Sequence, residues 1–480
     1  MRKVELAVQI LGAALVIWFF HWTVESSGGF NPPGDEDYYN FLVRGWRAGH
    51  LHMEKPPHEG MARLADPYDP VQNRDYRLAD ATYFNGRYYL YFSAVPALLT
   101  QFPYALITGK ELGTTTGIFI FLSVGLLASM LLWIAMVRRF FPDGSPLWSL
   151  AGILVIGFGN NLLVLARRPL VWEFPIAAAY AFASMTLLLV HRSLVSTKPV
   201  RWLMAAGFTA GAMVACRPGS VFATLLFLPV ILFHARRGFE GRRLWRPVAA
   251  LAAPMALWVV AILIHNHERF GKFLEFGISY QLSSVYEGRQ RHFSPDYLAH
   301  NLRIYLSNPL GYTSEFPFVT AVAVRGGPAG YLDAWVEPIA GMLPTFPHVV
   351  AGLACLLVTG FLRRHSPEFR TLVHAMGIAG IGALGFLLLF YCATPRYTAE
   401  FLPHLSFLAC LAALACASAF REKPGAGWWR ALFLVLVLVG VIHGALLSLD
   451  YHQRLLQRLR PEYWTHIADG FSWVTRILQK

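Results

Sequence analysis

Apolar runs long enough to cross a bilayer recur along the whole chain, and this restricts it to a helical membrane body. Val4–Val24, Gly117–Val137 and Ala431–Leu449 each match the roughly 20 residues that cross a hydrocarbon core of about 30 Å. Inside that core every backbone N–H and C=O must be bonded internally, which leaves the helix as the solution for runs of this length. Only 14% of the 480 residues are charged and 55% are hydrophobic, whereas a soluble domain carries about a quarter charged residues. Met1–Val24 starts with the Arg2-Lys3 pair of a signal peptide. It is longer than a signal h-region and no small-residue cleavage pattern follows, so it is read as the first span.

Ten further apolar segments follow, at 117–137, 146–166, 170–191, 202–216, 218–235, 247–265, 346–362, 371–391, 401–420 and 429–449. Tyr88–Thr108 is ambiguous, carrying Pro96 and Pro103 among many aromatics, as an interfacial helix would. The charges decide. If it does not span, the basic connections Arg138/Arg139, Arg192–Arg201, Arg236–Arg246, Arg363–Arg370 and Arg421–Arg430 all share one side with Arg2 and Lys3. This is the bias of cytoplasmic loops, and it accounts for most of the net charge of +13 without nucleic acid as a partner. The expectation is an all-α polytopic protein of about 11 transmembrane helices. Residues 1–265 form a transmembrane module with an outer loop at 25–116 that holds juxtamembrane helices. A second long outer loop covers 266–345, C-terminal membrane helices cover 346–449, and an outer amphipathic tail covers 450–480.

Four arginines break the charge rule by sitting at the outer ends of spans: Arg167, Arg168, Arg217 and Arg396. Charge at such depth marks a site or an ion pair, and the planar guanidinium fork suits phosphate oxygens. Together they would form a phosphate pocket at headgroup level. Singly, they would pair with carboxylates such as Glu173 and Glu400. The cluster Asp35-Glu36-Asp37 supplies carboxylates of the kind that accept a proton from an attacking hydroxyl; a solvated loop or a divalent-ion site would use them equally well. In the second loop, Glu275, Glu287, Asp296, Glu315, Asp333 and Glu337 stand among aromatics, fitting either sugar binding or a structural lid. His265 and His267 are candidate ligands should a divalent metal ion be a cofactor. The five cysteines are scattered through apolar segments and read as core residues, with no zinc or disulfide spacing. No P-loop or dinucleotide fingerprint is present.

A first span followed by an outer loop opening on Asp35-Glu36, with the aromatic and basic stretch Tyr38–Arg47 behind it, resembles the C-type membrane glycosyltransferase superfamily, in its bacterial branch of aminoarabinose and mannosyl transferases. The resemblance implies Asp35, or next Glu36, as the catalytic base, and Arg167, Arg168, Arg217 and Arg396 around the donor phosphate. Tyr88 in 84–92, Glu173 in 168–173, Arg269 and Glu275 in 269–277, and Tyr397 and Glu400 in 396–403 lie in further similar stretches and become candidate substrate-binding residues. The second juxtamembrane signature departs from the family, because Lys55-Pro56-Pro57 comes too early and a single Pro96 later. The implied activity is transfer of a sugar from a polyprenyl-phosphate donor to a glycan, lipid or protein acceptor of the cell envelope. The implied location is the periplasmic face of a bacterial inner membrane, with the N-terminus cytoplasmic, the C-terminus periplasmic, and inversion at the sugar carbon. The alternatives are a polymerase or ligase of lipid-linked glycans and a lipid or sugar flippase.

Overall fold

The computed structural model describes residues 2–30, 37–142, 144–237, 245–357 and 362–479. The helices and strands follow in chain order. They are α1 (Arg2–Ser26), α2 (Tyr38–Arg47), β1 (Ala81–Phe84), β2 (Arg87–Leu90), α3 (Val95–Leu99), α4 (Gln101–Thr108), α5 (Thr114–Phe140), α6 (Pro146–Phe158), α7 (Leu163–Arg167), α8 (Glu173–Val195), α9 (Pro199–Cys216) and α10 (Phe227–Arg236). Then come α11 (Trp245–Phe270), α12 (Leu298–Leu302), β3 (Leu310–Tyr312), β4 (Val319–Ala321), α13 (Met342–Thr345), α14 (Pro347–Ala354), α15 (Pro367–Leu388), α16 (Leu402–Ala419), α17 (Ala426–Leu459), α18 (Pro461–Gly470) and α19 (Ser472–Leu478).

Among the described residues, 9 helical stretches are long and apolar enough to cross a membrane, and the chain is a multi-pass membrane protein. Each of the eleven expected segments contains helix, but two are shorter than a span. The segment expected at 146–166 stops at Phe158, and its 13 residues rise only about 20 Å. The physical reason is Asn160, whose side-chain amide donates to the carbonyls of Val155 and Ile156 at 3.0 and 2.9 Å. Its oxygen accepts from the Leu162 N–H at 2.9 Å. One side chain closes α6 and opens α7, a local competition typical of Asn. The segment expected at 346–362 is helical over Pro347–Leu357, and residues 358–361 lie outside the described set.

Tyr88–Thr108 is not the single interfacial helix expected. Its first residues belong to the β1–β2 hairpin, which turns at Asn85 and Gly86 with φ of 49° and 72°, the pair a tight hairpin requires. The rest divides into α3 and α4.

Helix packing depends on close approach at small residues. A Cβ on Gly125 of α5 would sit 2.5 Å from the Tyr180 ring of α8, and one on Gly207 of α9 would strike the Leu251 carbonyl of α11. The two long loops fold onto each other. Leu282 N–H donates to Ala81 O and Asp80 N–H to Leu282 O, at 2.8 and 2.7 Å. The Asn301 amide meets the Leu387, Leu388 and Phe390 carbonyls and fixes the second loop to the end of α15. Beyond α17 the chain returns over the second loop, where Leu456 and Trp464 bury against Phe316, Phe318 and Leu449.

Candidate functional site

Short connections between helices, with one stretch from each long loop, build the site. Arg168 and Trp172 lie in the link between α7 and α8, and Arg396 and Tyr397 in the 3-10 turn Pro395–Glu400 after α15. Glu337 comes from the second loop. Its Oε1 accepts from Arg168 at 2.8 Å and from Arg396 at 3.0 Å, and Arg168 also stands 3.5 Å from Glu173. Both guanidinium carbons lie 5.5 Å from the centroid of the Trp172 ring. The Trp172 indole N–H donates to Asp80 of the first loop at 3.0 Å. The Tyr397 ring centroid is 5.4 Å from both Arg217 and Arg396, and Arg217 donates to Glu400 from Nε and Nη2 at 3.0 and 2.6 Å.

The two arginines share one oxygen of Glu337 and have Glu173 beside them, and an aromatic face adds a further attraction for the guanidiniums. Burial works against charge on Glu337, but Arg396 and Arg168 hold its pKa below the ordinary carboxylate value. Burial also opposes the charge of Arg396, and Tyr397, Glu337 and Glu173 together raise its pKa nonetheless. Burial dominates at Asp80, pushing its pKa up, while the Trp172 hydrogen bond pulls the other way. A cavity of about 590 Å³ opens where Arg168 and Glu337 face the end of α17, with Pro395, Asp450, Arg454 and Arg458 on its walls.

Three of the four expected arginines gather here. Arg167 does not. It is fully buried and donates to the Ser448 carbonyl at 2.9 Å and to Ser26 and Ser27 at 3.0 Å each, joining α1, α7 and α17. Pairing with Glu173 and Glu400, the other expectation for these arginines, is also present.

Asp35 and Glu36 lie outside the described residues. Asp37, the third acid of that cluster, caps α2 through Asn40 N at 3.2 Å and ties down the start of α5 through Thr114 N and Oγ1 at 3.1 and 2.8 Å. The remaining candidates serve the loops. Tyr88 is buried in the hairpin. Arg269 donates to Leu90 O at 2.9 Å and to Asn266 at 2.8 Å, and Glu275 accepts from Gly277 N and Ser279 at 2.6 and 2.8 Å. His267 stacks on Phe273. No group of three or more His, Cys, Asp or Glu that could hold a metal is found among the described residues. The sequence reading missed the position of Asp80, since no motif surrounds it, and the contribution of Arg454 and Arg458, hidden in a tail that looked merely amphipathic.

No family model and no curated protein matches the sequence. The oligosaccharyltransferase of Archaeoglobus fulgidus in its apo form aligns with a TM-score of 0.50 at 14% identity, over 95% of this chain and 55% of that one. The archaeal enzyme AglB, in complex with an inhibitory peptide and a dolichol-phosphate, gives 0.48 and 14% over 95% and 56%. ArnT from Cupriavidus metallidurans bound to undecaprenyl phosphate gives 0.42 and 13% over 93% and 76%. The chain spans about half the length of the archaeal oligosaccharyltransferase. The likeness is one of architecture: the chain shares the fold of the archaeal oligosaccharyltransferase.

Proposed function

We propose that the protein is an integral membrane glycosyltransferase that moves a sugar from a polyprenyl-phosphate donor to a cell-envelope acceptor on the periplasmic side of a bacterial inner membrane. The observation that carries this is the gathering of Arg168, Arg217 and Arg396 at one end of the bundle, with Arg168 and Arg396 on one Glu337 oxygen and Arg168 on the wall of a cavity of about 590 Å³. The fold shared with an oligosaccharyltransferase supports the same reading.

In the transfer, an acceptor hydroxyl or amine attacks C1 of the sugar as the C1–O bond to phosphate breaks. The acceptor proton goes to a carboxylate, for which Asp35 is the first candidate and Glu36 the second. The phosphate leaves as an anion, so it needs cationic stabilisation more than an acid. Arg168 and Arg396, each with its guanidinium carbon 5.5 Å from the Trp172 centroid, supply that charge, and Arg217 lies 5.4 Å from the Tyr397 centroid. A base on the face opposite the leaving phosphate gives a single displacement with inversion.

The test uses purified protein with radiolabelled polyprenyl-phosphate sugars and crude envelope acceptors, comparing wild type with Asp35→Asn and Arg396→Gln. Wild type should release or transfer the label, and each variant should fall by at least a hundredfold with unchanged expression. Full activity of Asp35→Asn would remove Asp35 as the base. Exchange of labelled lipid across proteoliposomes without bond cleavage would replace the enzyme with a flippase.

A further inference from the structure

The cavity beside Arg168 has a wall that the proposed transfer does not use. α17 breaks at Tyr451–Arg454, where His452, Gln453 and Arg454 take left-handed φ values of 56°, 58° and 54°. Such a run is disfavoured for residues with a Cβ, and here it turns the chain so that Arg454, Gln457 and Arg458 line the same cavity as Arg168.

The anionic groups on this wall are already engaged. Asp450 accepts from Thr320 Oγ1 at 3.0 Å and Ala321 N at 2.9 Å, and Glu337 is shared between Arg168 and Arg396. Arg168 is engaged too, on Glu337, and the two cations of the tail are held more loosely. Among the described residues Arg454 approaches Asp450 at 3.6 Å, and Arg458 donates to the His452 carbonyl at 2.7 Å. Each retains guanidinium donors in the forked geometry that matches phosphate oxygens. The volume of about 590 Å³ falls within the range of small-molecule sites and exceeds what one phosphate group fills.

We infer that Arg454 and Arg458, with Arg168 opposite, form a binding site for a phosphate- or diphosphate-bearing ligand. This deepens the proposed function by assigning a ligand class to the C-terminal wall of its cavity, and it rests on that reading only for the role the ligand plays. The phosphate could be carried by a polyprenyl lipid or by a soluble co-substrate.

The test titrates the full-length protein in detergent with inorganic pyrophosphate and, separately, with a polyprenyl phosphate, for wild type and R454Q/R458Q. The double variant should lose at least tenfold in affinity for one probe. A loss confined to pyrophosphate identifies a soluble phosphate ligand, and a loss that includes the polyprenyl phosphate identifies the lipid headgroup. Unchanged affinity for both probes, or no binding of either to wild type, overturns the site. Should the double variant fail to fold, R458Q alone, at an exposed position, repeats the comparison. Sugar transfer by wild type together with unaltered probe binding in the variant would sink this inference and leave the proposed function standing. Loss of pyrophosphate binding in the variant, with no transfer from any donor by wild type, would do the reverse.

Discussion

At Asp80, burial and backbone geometry act on one carboxylate. Its φ is 57°, a conformation Asp tolerates better than most residues, and its oxygens meet the Trp172 indole and the Gln281 amide at 3.0 and 3.4 Å. Because burial raises its pKa, the folded protein holds the Asp80 proton more tightly than the unfolded chain does. Stability from this group is therefore highest below the unfolded value of about 3.9 and falls as pH rises through the folded value. Asp80→Asn keeps the shape and removes the charge, so the variant should melt above wild type, with the gap widening from about pH 4 upward. Differential scanning fluorimetry across pH in detergent checks this, and a gap that is flat with pH would show that Asp80 carries no such penalty. Residues of this kind are hard to read from sequence. The arginines were legible because they violate a charge rule, but Glu337 reaches Arg168 across 169 positions, and no local pattern predicts that pairing.

Secondary-structure elements divide in the same way between local and distant causes. The acidic cluster looked like one functional unit, yet Asp37 does the work of a helix cap for α2 and a clasp on Thr114 of α5. Asp37→Ala should cost about 1 kcal/mol for the lost cap, plus the two Thr114 bonds. It should lower the melting temperature while leaving transfer per folded molecule unchanged. If Asp37→Ala abolishes transfer at full stability, the division of labour within the cluster is wrong and Asp37 joins the chemistry. The spans were legible because hydrocarbon imposes one length and one composition. The early stop of α6 was not, because Gly159-Asn160-Asn161 lies inside an apolar run and only the side-chain bonds of Asn160 end the helix. The β1–β2 hairpin was missed for a related reason. Its aromatics suit an interfacial helix and a strand alike, and the strand forms because the second loop pairs with it at Thr82 and Gln281.

On the scale of the whole molecule, the positive charges predict which helix ends share a side, and side-chain contacts connect those ends directly. Arg138 donates to Gln9 at 3.0 Å, Phe140 meets His191 and Phe369, Arg237 pairs with Glu368, and Arg364 reaches Ala419 O at 3.4 Å. The helix ends at all five basic connections thus close into one end of the bundle with α1, while Arg168, Arg217 and Arg396 sit at the other. From the charge rule we propose that the basic end is cytoplasmic, with the cavity and the tail outside. A membrane-impermeant maleimide reads this in intact cells with the periplasm exposed, using exposed positions on each side. Ser472→Cys should be labelled at once, and Lys423→Cys only after permeabilisation, each measured above the wild-type background. Labelling of both positions in intact cells would show that α17 does not cross the membrane. The opposite pattern would turn the protein over, and the arginine mouth would then face the compartment that holds sugar nucleotides, making them the donor such a site meets.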